Sequence, residues 1–111
     1  MKAVLRLRIK NETVFIGKGV RELLDSIEIH KSIKKATEHT GISYPKAIRM
    51  IKTLEQELKF PVVVSEKGGS TYGGTYLTKQ GKEVLESYRE IEKILEETAQ
   101  KLVDEAFSKW D

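Results

Sequence analysis

The residues with the most chemistry to offer lie between Ser43 and Thr53. Lys46, Arg49, Met50 and Thr53 recur at helical spacing, with Ser43, Tyr44 and Pro45 just ahead of them. Ammonium, guanidinium and hydroxyl groups in that order suit a polyanion. Cations pair with phosphate oxygens, and a guanidinium can bond a guanine edge at two atoms. The other side of the same stretch carries Ala47, Ile51, Leu54 and Leu58, a 4-3-4 spacing. The result is an amphipathic helix with one side for a core and one for a ligand. Arg49 is the best candidate for a base-edge contact, and Ser43 with the first-turn N–H groups is a candidate phosphate holder. Lys34, Lys35 and Lys52 fall where they could lie near the backbone of a nucleic acid.

The flanking residues say how such a helix is held. Ser32 can cap a first helix that Thr40 and Gly41 end, and Gly41 is suited to a left-handed turn. Ser43 can cap the second, and Pro45 sits in its first turn, where a missing N–H costs nothing. Residues 32–58 therefore read as a helix-turn-helix, whose second helix enters the DNA major groove. An ordinary helical hairpin has the same outline, so the motif alone leaves both open. Residues 60–77 then give a short strand at Phe60–Val64, a glycine-rich loop and a returning strand at Thr75–Leu77. That order is a wing, with Lys67, Ser70, Thr71 and Tyr72 as candidates to reach phosphate or the minor groove. A plain surface hairpin is the alternative.

Earlier in the chain, Ala3, Leu5, Leu7 and Ile9 alternate with Lys2, Val4, Arg6, Arg8 and Lys10. Period two predicts a strand with one buried face, and Thr13–Ile16 predicts its partner in a hairpin over 2–16. Val20, Leu23, Leu24 and Ile27 predict a helix ending near His30. At the far end, Thr78 caps a helix expected to reach Trp110, about 33 residues and about 50 Å long. Its apolar stripe is Val84, Tyr88, Ile91, Leu95, Ala99, Leu102, Ala106 and Trp110, with a second row at Leu85, Val103 and Phe107. A small domain cannot cover such a helix. A second copy is the expected cover, so these residues form the candidate homodimer interface. Residues 1–77 and 78–111 are thus expected to be a DNA-binding domain and a dimerisation helix within one structural unit.

Composition narrows the classes. The 111 residues hold no cysteine and two histidines, so thiolate metal sites and disulfides are excluded and a metal is not expected. His30 reads as a helix-end residue. Gly17–Glu22 lacks the third glycine of a dinucleotide fingerprint, and no glycine-rich loop opens a helix with Gly-Lys-Ser/Thr. No convergent acid, base and nucleophile set is visible, so neither an enzyme nor a cofactor is expected. No aromatic platform suggests RNA. No leader or membrane-spanning run is read, so the expected location is the cytoplasm. Net charge is only +3, but its distribution is uneven. Residues 31–59 hold seven Lys/Arg against three Asp/Glu, whereas residues 78–111 hold six against nine. The basic excess peaks over the helix-turn-helix and reverses in the tail, as a polyanion ligand requires.

From about Arg21 to Glu92 the chain resembles the DNA-binding domain of ModE-type, molybdate-responsive transcription regulators. The resemblance rests on Glu22–Ile27 with His30, Ser32-Ile33, Ala36, Gly41–Tyr44 and Ala47. It continues through the glycine-rich residues 68–74, Leu77–Gly81, Tyr88 and Glu92. A looser similarity to LysR-type winged helices lies in Ser43, Pro45, Leu54-Glu55, Glu57-Leu58, Leu77-Thr78 and Gly81. The resemblance implies an α+β, mainly α fold: a winged helix-turn-helix with an N-terminal β-hairpin and a long C-terminal dimerisation helix. It also implies a homodimer reading a palindromic double-stranded DNA site, with the last helix and the N-terminal strands at its interface. Two departures stand out. Ile48 occupies the family's usual tryptophan position, and the oxyanion-binding module that senses molybdate in the family is not among these residues. Molybdate is therefore not carried over as a ligand, and the expectation is either a stand-alone DNA-binding protein or one whose effector domain is a different polypeptide. A protein–protein interaction module and a non-specific architectural DNA-binding protein are the alternatives.

Overall fold

The computed structural model describes residues 1–66 and 74–111. In chain order it holds β1 (Ile9–Lys10), β2 (Val14–Ile16), α1 (Lys18–His30), α2 (Ile33–Thr40), α3 (Tyr44–Leu58), β3 (Val63–Glu66), β4 (Gly74–Leu77) and α4 (Lys79–Phe107). A single 3-10 turn, Ser108–Trp110, follows. This is the α+β, mainly helical winged-helix architecture that the sequence predicts.

Helix α1 lies at the centre. Leu23, Leu24 and Ile27, at i, i+1 and i+4, are fully buried, and α2, α3, β4 and α4 all pack around it. The caps are formed by the expected residues. Ser32 Oγ accepts from Lys35 N–H at 3.1 Å, and Thr78 Oγ1 accepts from Gly81 N–H at 2.9 Å. Gly41 closes α2 at φ +76°, a left-handed conformation in which a side chain is strained.

β3 and β4 pair antiparallel with Val63 opposite Leu77 and Glu66 opposite Gly74. Thr78 N–H donates to Val62 C=O at 3.0 Å and closes the base of this hairpin, and Thr75 N–H donates to Lys31 C=O at 3.0 Å and ties it to the end of α1. The candidate wing residues Lys67, Ser70, Thr71 and Tyr72 lie outside the described residues.

The N-terminal strand differs from expectation. Pairing is confined to Ile9–Lys10 against Val14–Ile16, with an irregular register. Residues 1–8 instead lie along α4. Ala3 N–H donates to Gln100 Oε1 at 3.0 Å, Gln100 Nε2 donates to Met1 C=O at 3.0 Å, and Tyr88 Oη donates to Leu7 C=O at 2.6 Å. A three-residue β2 offers no ladder for a longer strand, whereas α4 offers both apolar surface and polar partners.

α4 is 29 residues, or about 44 Å, somewhat shorter than expected. Its first half is welded to the domain. Gly81 sits so close to β3 that an added Cβ would lie 2.2 Å from Val62 O. No helix among the described residues is long and apolar enough to cross a membrane.

Candidate nucleic-acid interface

The turn between α2 and α3 is tight because its polar groups are used locally. Thr40 Oγ1 donates to Ala36 C=O at 2.8 Å and accepts from Ile42 N–H at 3.4 Å. Ser43 Oγ accepts from Lys46 N–H at 3.3 Å, and Pro45 occupies the first turn of α3. Ser43 Oγ takes the Lys46 N–H, Ala47 N–H donates to Ser43 C=O at 2.9 Å and Pro45 has none, so of the first turn's donors Tyr44 N–H is left for a ligand. Ala36 and Ala47, both fully buried, keep the two helices close. Ile51 and Leu54 bury the inner side of α3, which turns its polar side outward.

Ser43, Tyr44, Pro45, Lys46, Arg49 and Lys52 are exposed on α3 and its entrance, and Lys34 and Lys35 are exposed on α2. No ion pair among the described residues engages Lys34, Lys35, Lys46, Arg49 or Lys52. Two residues on the expected outer side are less open. Thr53 is half-buried, and Met50 is half-buried against the core, with its Cε 3.4 Å from where a Cβ on Gly19 would stand. Met50 thus packs under the start of α1, because its long apolar side chain reaches the gap that Gly19 leaves. Ile48 is also half-buried.

Two recesses flank α3. One, of about 320 Å³, is lined by Lys31, Lys34, Tyr44 and the wing base at Ser65, Glu66 and Thr75. It joins both helices of the motif to the wing. The other, of about 450 Å³, gathers Arg6, Arg8, Lys18 and Lys46 around Gly17 and Gly19. Four cations from three separate elements meet there, at a helix start whose N-cap has no side-chain bond. Sequence reasoning missed this cluster. The signal was present as the basic outward side of residues 6–8, but nothing local tied it to Lys46.

The orientation of α3 relative to the wing is fixed by Glu55. Its Oε2 accepts from Val62 N–H at 2.7 Å and from Val63 N–H at 3.5 Å. These bonds tie the last turns of α3 to the start of β3. α1 is tied to α4 by charge. Arg21 Nη1 bonds Asp25 at 3.2 Å, and Arg21 Nε lies 3.0 Å from Glu92 as an ion pair without hydrogen-bond alignment. Burial disfavours the charge on Arg21, but the bond to Asp25 and the Glu92 carboxylate override it and hold the guanidinium above its usual pKa. Arg89 pairs with the same Asp25 and with Glu28 at 3.6 Å.

The stripe on α4 divides in two. Tyr88 is 1% exposed and belongs to the domain's own core, which corrects its assignment to an intermolecular surface. Helical period gives a residue's angle but not what covers it, and here residues 7–9 and β2 do. Val84 and Ala99 are half-buried, whereas Ile91, Leu95, Leu102, Ala106 and Trp110 are exposed. Ile94 and Phe107 add to the exposed set.

No protein-family model matches the chain. Over 70 residues, 63% of its length, the chain is 37% identical to the molybdenum transport protein ModE of Azotobacter vinelandii. The match falls in the N-terminal part of that protein and agrees with the resemblance read from the motifs. The matched part is 26% of the relative, so the chain spans about a quarter of its length.

Proposed function

We propose that the chain is a sequence-specific, DNA-binding transcription regulator that acts as a homodimer on a two-fold symmetric site. The observation that carries the reading is the outer side of α3: exposed, unpaired Lys46, Arg49 and Lys52 on a capped second helix of a helix-turn-helix. The resemblance to ModE-type regulators supports it. In this reading residues 1–77 bind DNA and residues 78–111 dimerise. Arg49 contacts a base edge, Tyr44, Lys46 and Thr53 line the groove, and Ser43, Lys34, Lys35 and Lys52 meet phosphates. Arg6, Arg8 and Lys18 extend the phosphate contacts beyond the motif. The wing, including Lys67, Ser70, Thr71 and Tyr72, reaches beside the groove. The site of action in this reading is the cytoplasm.

The test is selection of bound fragments from genomic DNA, with affinities measured across a salt series. A recovered two-fold site and a steep negative salt slope are expected. Arg49→Ala should weaken binding by about 1–3 kcal/mol and relax preference at one base pair. Salt-sensitive binding with no preferred site would replace this reading with architectural DNA binding. Salt-insensitive docking to a protein would replace it with an interaction module.

A further inference from the structure

A groove of about 400 Å³ runs along the first half of α4, walled mostly by apolar side chains including Phe15, Leu58, Phe60 and Val84, with Gln80, Glu83 and Ser87 also lining it. At and just past the other end of the same helix, the Phe107 and Trp110 rings pack 5.5 Å apart, and Trp110 is 61% exposed. One end of α4 thus has a slot without a filling, and the other has an aromatic knob without a slot. We infer that the slot is filled by Trp110 of a second copy, brought there by antiparallel pairing of the two α4 helices about a dyad near Glu96–Glu97. The inference deepens the homodimer reading above and rests on it.

The register follows from the helix itself. Antiparallel pairing about that dyad sets Ile91 against the partner's Leu102, Leu95 against the partner's Thr98, and Ser87 against the partner's Ala106. Each match recurs by symmetry, as a two-fold interface requires. It carries the partner's Trp110 to the level of Glu83–Val84, at the mouth of the groove. Coverage agrees. A parallel pair would bury the exposed apolar sides of the second halves on each other and leave both grooves open, whereas an antiparallel pair covers the groove and the side carrying Leu95, Leu102 and Ala106 together. Leu58 ends α3 and Phe60 follows its cap, so the seated ring would contact the end of the helix that carries the candidate DNA-binding face.

The chain has one tryptophan and no cysteine, which makes the test direct. Sedimentation and Trp110 fluorescence are measured on the full chain over a dilution series. The expected result is a dimer whose emission lies at short wavelength and resists iodide quenching, and which shifts to longer wavelength as the dimer dissociates. Trp110→Ala should weaken dimerisation on the order of tenfold or more. Ser87→Cys and Ala106→Cys chains are then mixed under oxidation. Only the mixture should cross-link, because each residue meets the other type across the dyad. Within one chain the two positions are about 28 Å apart and cannot bridge. A stable dimer with a quenchable Trp110, or cross-linking of Ser87→Cys alone, overturns this inference and leaves the homodimer reading standing. A monomer at all concentrations overturns both.

Discussion

Removing one oxygen tests how the N-terminal segment is held. Tyr88 is buried and its hydroxyl donates to Leu7 C=O at 2.6 Å, a bond that joins residue 7 to α4. In Tyr88→Phe the ring still fills its site, but the Leu7 carbonyl loses its donor. Such a loss costs about 1–2 kcal/mol, which for a domain of this size is several degrees in Tm. The effect should also depend on pH. Burial, assisted by the Glu92 charge and opposed by Arg21, raises the Tyr88 pKa above its ordinary value. The folded state therefore keeps the proton after the unfolded chain has begun to lose it near pH 10. A raised acid pKa of this kind stabilises the fold fully below the unfolded value and loses that contribution as pH climbs toward the folded one.

The assay is urea unfolding of both proteins at one fixed concentration, in steps from pH 8 to pH 11. Other lysines and tyrosines titrate in the same range, but they are common to both chains and cancel in the difference. The wild-type advantage should be constant up to about pH 9 and shrink above pH 10. A difference of zero at pH 8 would mean that the bond to Leu7 contributes nothing. A difference that stays constant through pH 11 would mean that Tyr88 ionises alike in both states, and the burial argument would fall.

Gly81→Ala should destabilise the fold by about 2–3 kcal/mol, since its Cβ would meet the Val62 carbonyl at 2.2 Å; an unchanged urea midpoint would refute the close approach. Glu55→Ala removes a charged acceptor from two backbone N–H groups and should cost about 1.5–3 kcal/mol. Hydrogen exchange should quicken at Val62 and Val63 more than in α1, and uniform exchange would count against a local tie. Arg8→Gln should weaken DNA binding alike for all sequences and reduce the salt slope by about one phosphate. A changed base preference would instead put Arg8 at a base edge.

Local signals were the most legible. Ser32, Ser43 and Thr78 cap the helices that their positions announce, and Gly41 takes the left-handed turn, because capping involves only residues three or four apart. Apolar period also located the inner side of α3 through Ala47, Ile51 and Leu54. What failed was the step from angle to neighbour. Alternation over residues 2–10 signals an extended chain with one covered side, but the cover is α4 for residues 1–8 and a strand only for Ile9–Lys10. Tyr88 shares a stripe with Leu102, yet one faces the core and the other faces out, because the domain ends partway along α4. The basic recess joins residues 6, 8, 18 and 46, a proximity that only the tertiary fold creates.

The peptide at Pro61–Val63 is where the fold couples these parts. Val62 N–H donates to Glu55 of α3, Val62 C=O accepts from Thr78 N–H, and Pro61 C=O accepts from the Thr78 hydroxyl at 2.7 Å. Gly81 then packs α4 directly on the Val62 carbonyl. α3, the wing base and α4 therefore meet at a single short segment. In a dimer held by α4, the distance between two α3 helices would follow from the α4 register alone. Half-site spacing would then be set by packing at Gly81 and Glu55, whereas base preference would be set by Arg49 and its neighbours. The two properties should separate in mutants because they rest on different atoms: one on buried backbone contacts, the other on exposed side chains.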